Sequence, residues 1–179
     1  MEKFSTIVCF AKGTLVTSIN ENTPIEFVKP NDKILTYNHE LGKSQIAVVE
    51  RVAISRHSEI SNITFSNDIS ISTTNDHPFW IIGKGWSTVS KPASGRKYNL
   101  LLDQLVVGDY CLYLNDETLN KVRIVNIERL VGDYDMHTVS GGENHCYFAN
   151  GILVHDVNLT SLNLDKEHVS YEDSVSSNY

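Results

Sequence analysis

Four places along the chain hold side chains able to make and break bonds. Cys9 lies inside the apolar run "TIVCFAKGTLV", and His77 follows Thr74 by three positions in "STTNDHPFW". His145 stands in "ENHCYFANG", and His155-Asp156 close the run "YFANGILVHDV". A cysteine thiolate is accessible near pH 7 and strongly nucleophilic, while an imidazole gains or loses a proton near neutrality. Each residue also has a plainer reading. A cysteine in a β run is commonly a small buried hydrophobe, and a histidine before Pro78 can simply cap a strand end. A cysteine protease acting on other chains through Cys9 and His77 is conceivable, but no substrate-groove pattern accompanies the pair. A metal centre is disfavoured because the sequence has no Cys-x-x-Cys or His-x-x-x-His ligand spacing. No metal and no other cofactor is expected, although Zn²⁺ would block a site of thiol and imidazoles.

The elements that must position these groups read as all-β. Short runs rich in Val, Ile, Thr and Tyr recur, among them "DKILTY", "IAVVERVAI", "ISIST", "LVVGDYCLYL" and "VRIVNIERL", punctuated by Asn, Gly, Pro and Asp at hairpin intervals. No stretch keeps a 3.6-residue apolar period; "KPASGRKYNLLLDQL" offers at most one short turn of helix. Asn150-Gly151 predicts a type I′ hairpin turn between "CYFA" and "ILVH".

An internal repeat underlies the pattern. "VKPNDKILTYN" (28–38) aligns without gaps on "LVVGDYCLYLN" (105–115), an offset of 77 that pairs Asp32 with Asp109. "VERV" (49–52) meets "IERL" (127–130) at an offset of 78, and at the same offset His77 falls on His155. A duplicated β unit delivers one histidine from each half to a similar place near a pseudo-two-fold axis.

Length and composition narrow the function classes. With 179 residues, 41% apolar and 21% charged, the chain has the size of one domain and ordinary globular make-up. A net charge of −7 with scattered basic residues argues against a nucleic-acid partner held through phosphates. No apolar stretch approaches the length of a membrane span, and "MEKFSTIV" has no signal-peptide core; a cytoplasmic monomer is the expectation. Three cysteines, Cys9, Cys111 and Cys146, leave at least one thiol free, and Cys111 and Cys146 read as core. Residues 157–179, rich in Ser, Asn and Asp, predict a solvated, disordered tail.

Taken in order, Cys-Phe…Gly-Thr, then Thr-x-x-His, then Tyr-Asp…His…Ala-Asn-Gly…Val-His-Asp closely resemble the Hint family of inteins and hedgehog autoprocessing domains. The resemblance covers Cys9 to Asp156 and matches a mini-intein without an inserted homing endonuclease. It implies a pseudo-two-fold β horseshoe at 9–156, flanked by residues 1–8 and by the tail. It also implies that Cys9 attacks the carbonyl of Val8, turning a peptide bond into a thioester. His77 would protonate the departing nitrogen, Thr74 would hold the loop and polarise the scissile bond, and Asp135 would tune the cysteine, with Asp133 a competing choice. His145 and the penultimate His155 would assist the C-terminal step.

The end of the motif departs from that family. A splicing intein ends in Asn, followed by Cys, Ser or Thr; here Asp156 is followed by Val157. Val157 offers no nucleophile, and Thr160 lies three residues too far along to replace it. Asp156 can cyclise only through a carboxyl oxygen, giving an anhydride, and an ordinary carboxylate is ionised at pH 7. The expectation is therefore N-terminal cleavage without ligation, opened by water or by an external thiol or amine, with C-terminal cleavage slow and faster in acid. The partner is the chain's own flanking polypeptide; a sterol acceptor is discounted. If Met1 is the native start, the released piece is eight residues long. The alternative is a Hint fold whose chemistry has stopped and which serves as a binding or structural module.

Overall fold

The computed structural model of the chain describes residues 7–92, 95–97, 100–156 and 169–173. Alternation of apolar and polar residues produces strands almost throughout. After the N-terminal flank come β1 (Phe10–Ala11), β2 (Leu15–Thr17) and β3 (Asn22–Pro24), then the hairpin of β4 (Lys33–Asn38) and β5 (Lys43–Val48). The long β6 (Arg51–Phe65) turns into β7 (Ser70–Thr74), followed by β8 (Phe79–Ile81) and β9 (Gly85–Thr88). Three two-residue strands, β10 (Arg96–Lys97), β11 (Leu100–Leu101) and β12 (Asp103–Gln104), precede β13 (Tyr110–Asn115) and the 23-residue β14 (Thr118–Ser140). The hairpin of β15 (Cys146–Ala149) and β16 (Ile152–His155) and then β17 (Val169–Asp173) complete the described chain.

The all-β expectation holds, with one correction, in the tail. "KPASGRKYNLLLDQL" forms short strands over its described residues and no helix. The one helical turn among the described residues is a 3₁₀ turn at Ile25–Phe27, started by Pro24, whose fixed φ suits a first turn. The solvated-tail expectation fails at Val169–Asp173, which pair antiparallel with Arg51–Ser55 of β6. That open edge of β6 supplies a ladder to any extended segment able to reach it. The rest of 157–179, Val157 included, lies outside the described residues. No helix among the described residues is long and apolar enough to cross a membrane.

The duplication is visible in the hydrogen bonds. In the first half, Asp32 N–H donates to Lys29 O, Lys29 N–H to Asp32 Oδ2, Asn31 N–H to Val49 O and Val49 N–H to Asp32 O. The second half repeats all four with Asp109, Val106, Gly108 and Ile124. Asn31 and Gly108 both take the positive φ that this turn demands, 75° and 99°. Each turn launches a six-residue strand, β4 and β13. The long strands that follow, β6 and β14, pair with each other from Arg51↔Ser140 to Phe65↔Ile124.

The main core gathers under these strands around Phe10, Phe79 and Tyr147, all within 1% of fully buried. Phe10 meets both other rings edge-on at 6.2 Å. Burying each aromatic side chain contributes roughly 1.5–3 kcal/mol, and here that burial fixes the residue next to Cys9. At the other end of the site, Asn150 and Gly151 have φ of 47° and 79°, as a type I′ turn requires. The Asn150 amide also ties this turn to β2 and β7, accepting from Leu15 N–H at 2.7 Å and donating to Ser70 O at 2.9 Å.

Candidate active site

Cys9 enters the sheet just before β1 and is fully buried. Its backbone is clamped by β7: Cys9 N–H donates to the Thr74 hydroxyl at 3.0 Å, Thr74 N–H to Cys9 O at 3.0 Å, and the Thr73 hydroxyl to Cys9 O at 3.2 Å. The nitrogen of the Val8–Cys9 bond is thus held by the first residue of the Thr-x-x-His motif.

His77 N–H donates to Thr74 O at 3.2 Å, closing the motif into a turn below Cys9. The imidazole is 1% exposed, with its ring 4.1 Å from that of Phe10. Nε2 lies 2.8 Å from the carbonyl oxygen of His155. A carbonyl only accepts, so Nε2 carries a proton and Nδ1 is the nitrogen that gains or loses one. The two histidines related by the internal repeat therefore meet.

The C-terminal half of the site is built on the β15–β16 hairpin. His155 Nδ1–H donates to the backbone carbonyl of Asp156 at 2.5 Å, polarising the group a C-terminal cyclisation would attack. Its ring is enclosed by Trp86, edge-on at 4.9 Å, and stacks with His145 at 6.3 Å. Burial pushes the His155 imidazole below its usual range, against the pull of Asp156. Asp156 is 1% exposed: Oδ2 accepts Gly141 N–H at 3.0 Å, and Oδ1 lies 3.5 Å from His145 Nδ1. Only glycine fits at 141, since a Cβ there would stand 2.3 Å from Val48 O.

His145 adopts φ of 51° and accepts Asp156 N–H at its carbonyl. The neighbouring carboxylate raises the His145 imidazole above its ordinary range, while partial burial opposes this. A raised folded-state value means stabilisation that is full below the unfolded imidazole value of about 6.5 and lost as pH rises through the raised one. The imidazole is 49% exposed, so solvent keeps the pair to ~0.5 kcal/mol or less. Urea unfolding of the chain beside His145→Gln at about pH 6 and pH 8 should show the wild-type advantage shrinking at the higher pH.

A chain of contacts thus runs from Cys9 through Thr74 and His77 to His155, and from His155 to His145 and Asp156. Asp135 lies outside it. It is exposed, opposite Arg56 across the β14–β6 ladder, while its neighbour Met136 lies opposite Ser55 and packs on Cys9. A β-bulge between Val131 and Tyr134 resets the strand just before this point, and a one-residue reset exchanges the two faces. Burial lowers the His137 imidazole below its ordinary range, and Asp135, two positions away, opposes this together with Glu26. Asp133 is no substitute, being exposed and ion-paired with Arg56.

Sequence reasoning missed three neighbours of the site. Ser55 Oγ lies 3.1 Å from Cys9 Sγ and 2.8 Å from His57 Nε2. The signal was available in "ISRHS", where Ser55 and His57 share the inward face of a strand and Arg56 points out. The third is Tyr147, whose buried hydroxyl has no hydrogen-bond partner among the described residues and feels both Asp156 and Cys9. Burial holds it far above the usual phenol range. The other two cysteines are also buried thiols; Cys146 donates to Tyr37 O at 3.3 Å. Among the described residues no group of three His, Cys, Asp or Glu side chains is placed to hold a metal ion.

This arrangement of strands defines a Hint-like fold, the fold of inteins. The chain is similar to the bacterial intein-like domain of Clostridium thermocellum, with a TM-score of 0.68 and 23% identity over 83% of this chain and 98% of that one. It also superposes on the DnaB intein of Synechocystis, with a TM-score of 0.67 and 17% identity over 84% and 99% of the two chains. By sequence the chain belongs to the AXH family, matching the Ataxin-1 and HBP1 module over residues 5–116. Human Ataxin-1 is 27% identical over 118 residues, which is 62% of this chain and 14% of Ataxin-1. Mouse Ataxin-1-like is 35% identical over 52 residues, 29% of this chain and 8% of that protein. The chain therefore spans only a small part of the curated relatives it matches.

Proposed function

We propose that the chain is a single-turnover autoprocessing domain that cleaves itself between Val8 and Cys9. The observation carrying this reading is the Thr74 hydroxyl on the Cys9 amide nitrogen at 3.0 Å, three residues before the buried His77. An amine anion cannot leave, so a scissile nitrogen needs a proton donor, and an imidazolium is the side chain suited to the task near neutral pH. Cys9 adds to the Val8 carbonyl, His77 protonates the nitrogen, and the resulting thioester is opened by water or an external thiol or amine. Splicing does not follow, because Val157 cannot accept the acyl group. The site residues are Cys9, Thr74, His77, His145, His155 and Asp156; Asp135 has no part in it.

The test is intact mass of the purified chain over hours with and without a small thiol, beside Cys9→Ala. Loss of residues 1–8, accelerated by thiol and absent in the variant, is the expected result. A chain that stays whole would sink the reading.

The AXH match, together with Asp156 and Val157 in place of Asn and a nucleophile, favours a second reading: a Hint-like fold kept as a binding or structural module. An intact chain after prolonged thiol would favour that reading.

A further inference from the structure

Thioester formation needs a base for the Cys9 thiol as well as an acid for the nitrogen. His77 cannot be both in one step, and Asp135, the acid expected beside the cysteine, faces away from it. The position is filled from β6. Alternation along the strand turns Ser55 and His57 inward, 2% and 6% exposed, while Ile54 and Arg56 between and beside them point out. Register completes the placement, since Ser55 lies opposite Met136 and Met136 opposite Ala11, two residues from Cys9. The result is a line of three polar atoms, Sγ to Oγ at 3.1 Å and Oγ to Nε2 at 2.8 Å. Such a line running from a buried thiol is costly to leave half-made, and it leads to a side chain able to take a proton.

The geometry points to Ser55 and His57 as a proton relay that activates Cys9, an inference that rests on the autoprocessing reading. The S–H bond breaks as its proton passes to Ser55 Oγ, while the serine's own proton passes to His57 Nε2. Serine ends as the hydroxyl it began as, and a thiolate faces an imidazolium. The same heavy-atom distances serve afterwards, with His57 now donating to Ser55 and Ser55 to the sulfur. The thiolate forms the C–S bond at the Val8 carbonyl carbon. When the C–N bond breaks, the nitrogen takes a proton from the imidazolium of His77. One proton is gained at His57 and one given up at His77, so charge is conserved. Ser55 touches the reacting sulfur; His57 acts through it as a positioning residue and proton sink.

The experiment follows release of residues 1–8 from the full chain by intact mass, in hydroxylamine, for wild type, Cys9→Ala, Ser55→Ala, Ser55→Thr and His57→Gln. Ser55→Ala and His57→Gln are expected to slow release on the order of a hundredfold or more, and Ser55→Thr, which keeps the hydroxyl, to recover most of what Ser55→Ala loses. Glutamine preserves the hydrogen bond to Ser55 and cannot carry a proton, so a purely structural role for His57 would leave its rate unchanged. Wild-type rates in both variants would overturn the relay while leaving self-cleavage intact. If wild type itself stays whole, self-cleavage fails and the relay is read from alkylation of Cys9 by iodoacetamide, peptide by peptide. Buried Cys111 serves as the reference for opening of the fold. A Cys9 rate about tenfold lower in His57→Gln, at constant Cys111 rate, supports the relay; equal rates overturn it.

Discussion

Asp156→Asn is expected to switch on cleavage after residue 156, releasing residues 157–179 at least about a hundredfold faster than wild type, an effect of roughly 3 kcal/mol on the barrier. The surroundings already suit an asparagine. Gly141 N–H donates to one side-chain oxygen and His145 Nδ1 lies 3.5 Å from the other. An amide oxygen accepts the first equally well, and an amide nitrogen placed second can donate to a neutral His145. The electrophile is in position too, because His155 Nδ1–H polarises the residue's own carbonyl at 2.5 Å. What the native side chain lacks is a favourable ring to close: its carboxyl oxygen can form only a strained anhydride, whereas an amide nitrogen closes to a succinimide. Intact mass of the variant against wild type over days measures the gain. If the tail stays attached in both, the His145–His155 end of the site does not support cyclisation. A tail that already leaves quickly in wild type would show instead that the carboxylate is no brake.

His77→Gln is expected to lower the rate of Val8–Cys9 scission by roughly a thousandfold, the upper part of the range for loss of a general acid. Glutamine can still donate to His155 O and fill much of the space against Phe10, so the fold should survive. The variant removes only the proton that Nδ1 would carry to the departing nitrogen. Because His77 Nε2–H also holds His155 O, scission after Asp156 in an Asp156→Asn background should slow by a smaller factor, about tenfold or less. The time course of both products in one mass spectrum reads the two effects together. An unchanged N-terminal rate would remove His77 from the chemistry and leave it a linker between the two halves.

The local pieces of this site were legible in the sequence because each depends on short-range rules. Asn-Gly between apolar runs gave the type I′ turn, and its φ values are those the turn needs. The 77- and 78-residue offsets gave the duplication, because the same Asp-centred turn recurs wherever its side chain can bond the amide three residues back. From that symmetry it followed that His77 and His155 would come together, and they do. Thr74 and His77 lie within one turn, so their spacing fixed their relation to each other.

Which acid or base faces Cys9 was decided only by tertiary structure. Cys9 and Ser55 are separated by 46 positions and meet through the register of β1 on β14 and of β14 on β6. A strand's side chains alternate, so one extra residue in a bulge exchanges every inward group for its neighbour. The bulge before Tyr134 has that consequence, sending Asp135 to the surface and Met136 to the thiol. Gly132 within the β14 run is the sign of a bulge that the sequence carries, but the register on either side of it is fixed by pairing with β6, far away along the chain. The same long-range pairing orders Val169–Asp173 against β6, although its own composition reads as tail. The sequence by itself thus determined the strands, the turns and the two converging histidines; register between distant strands decided which side chains lie beside Cys9.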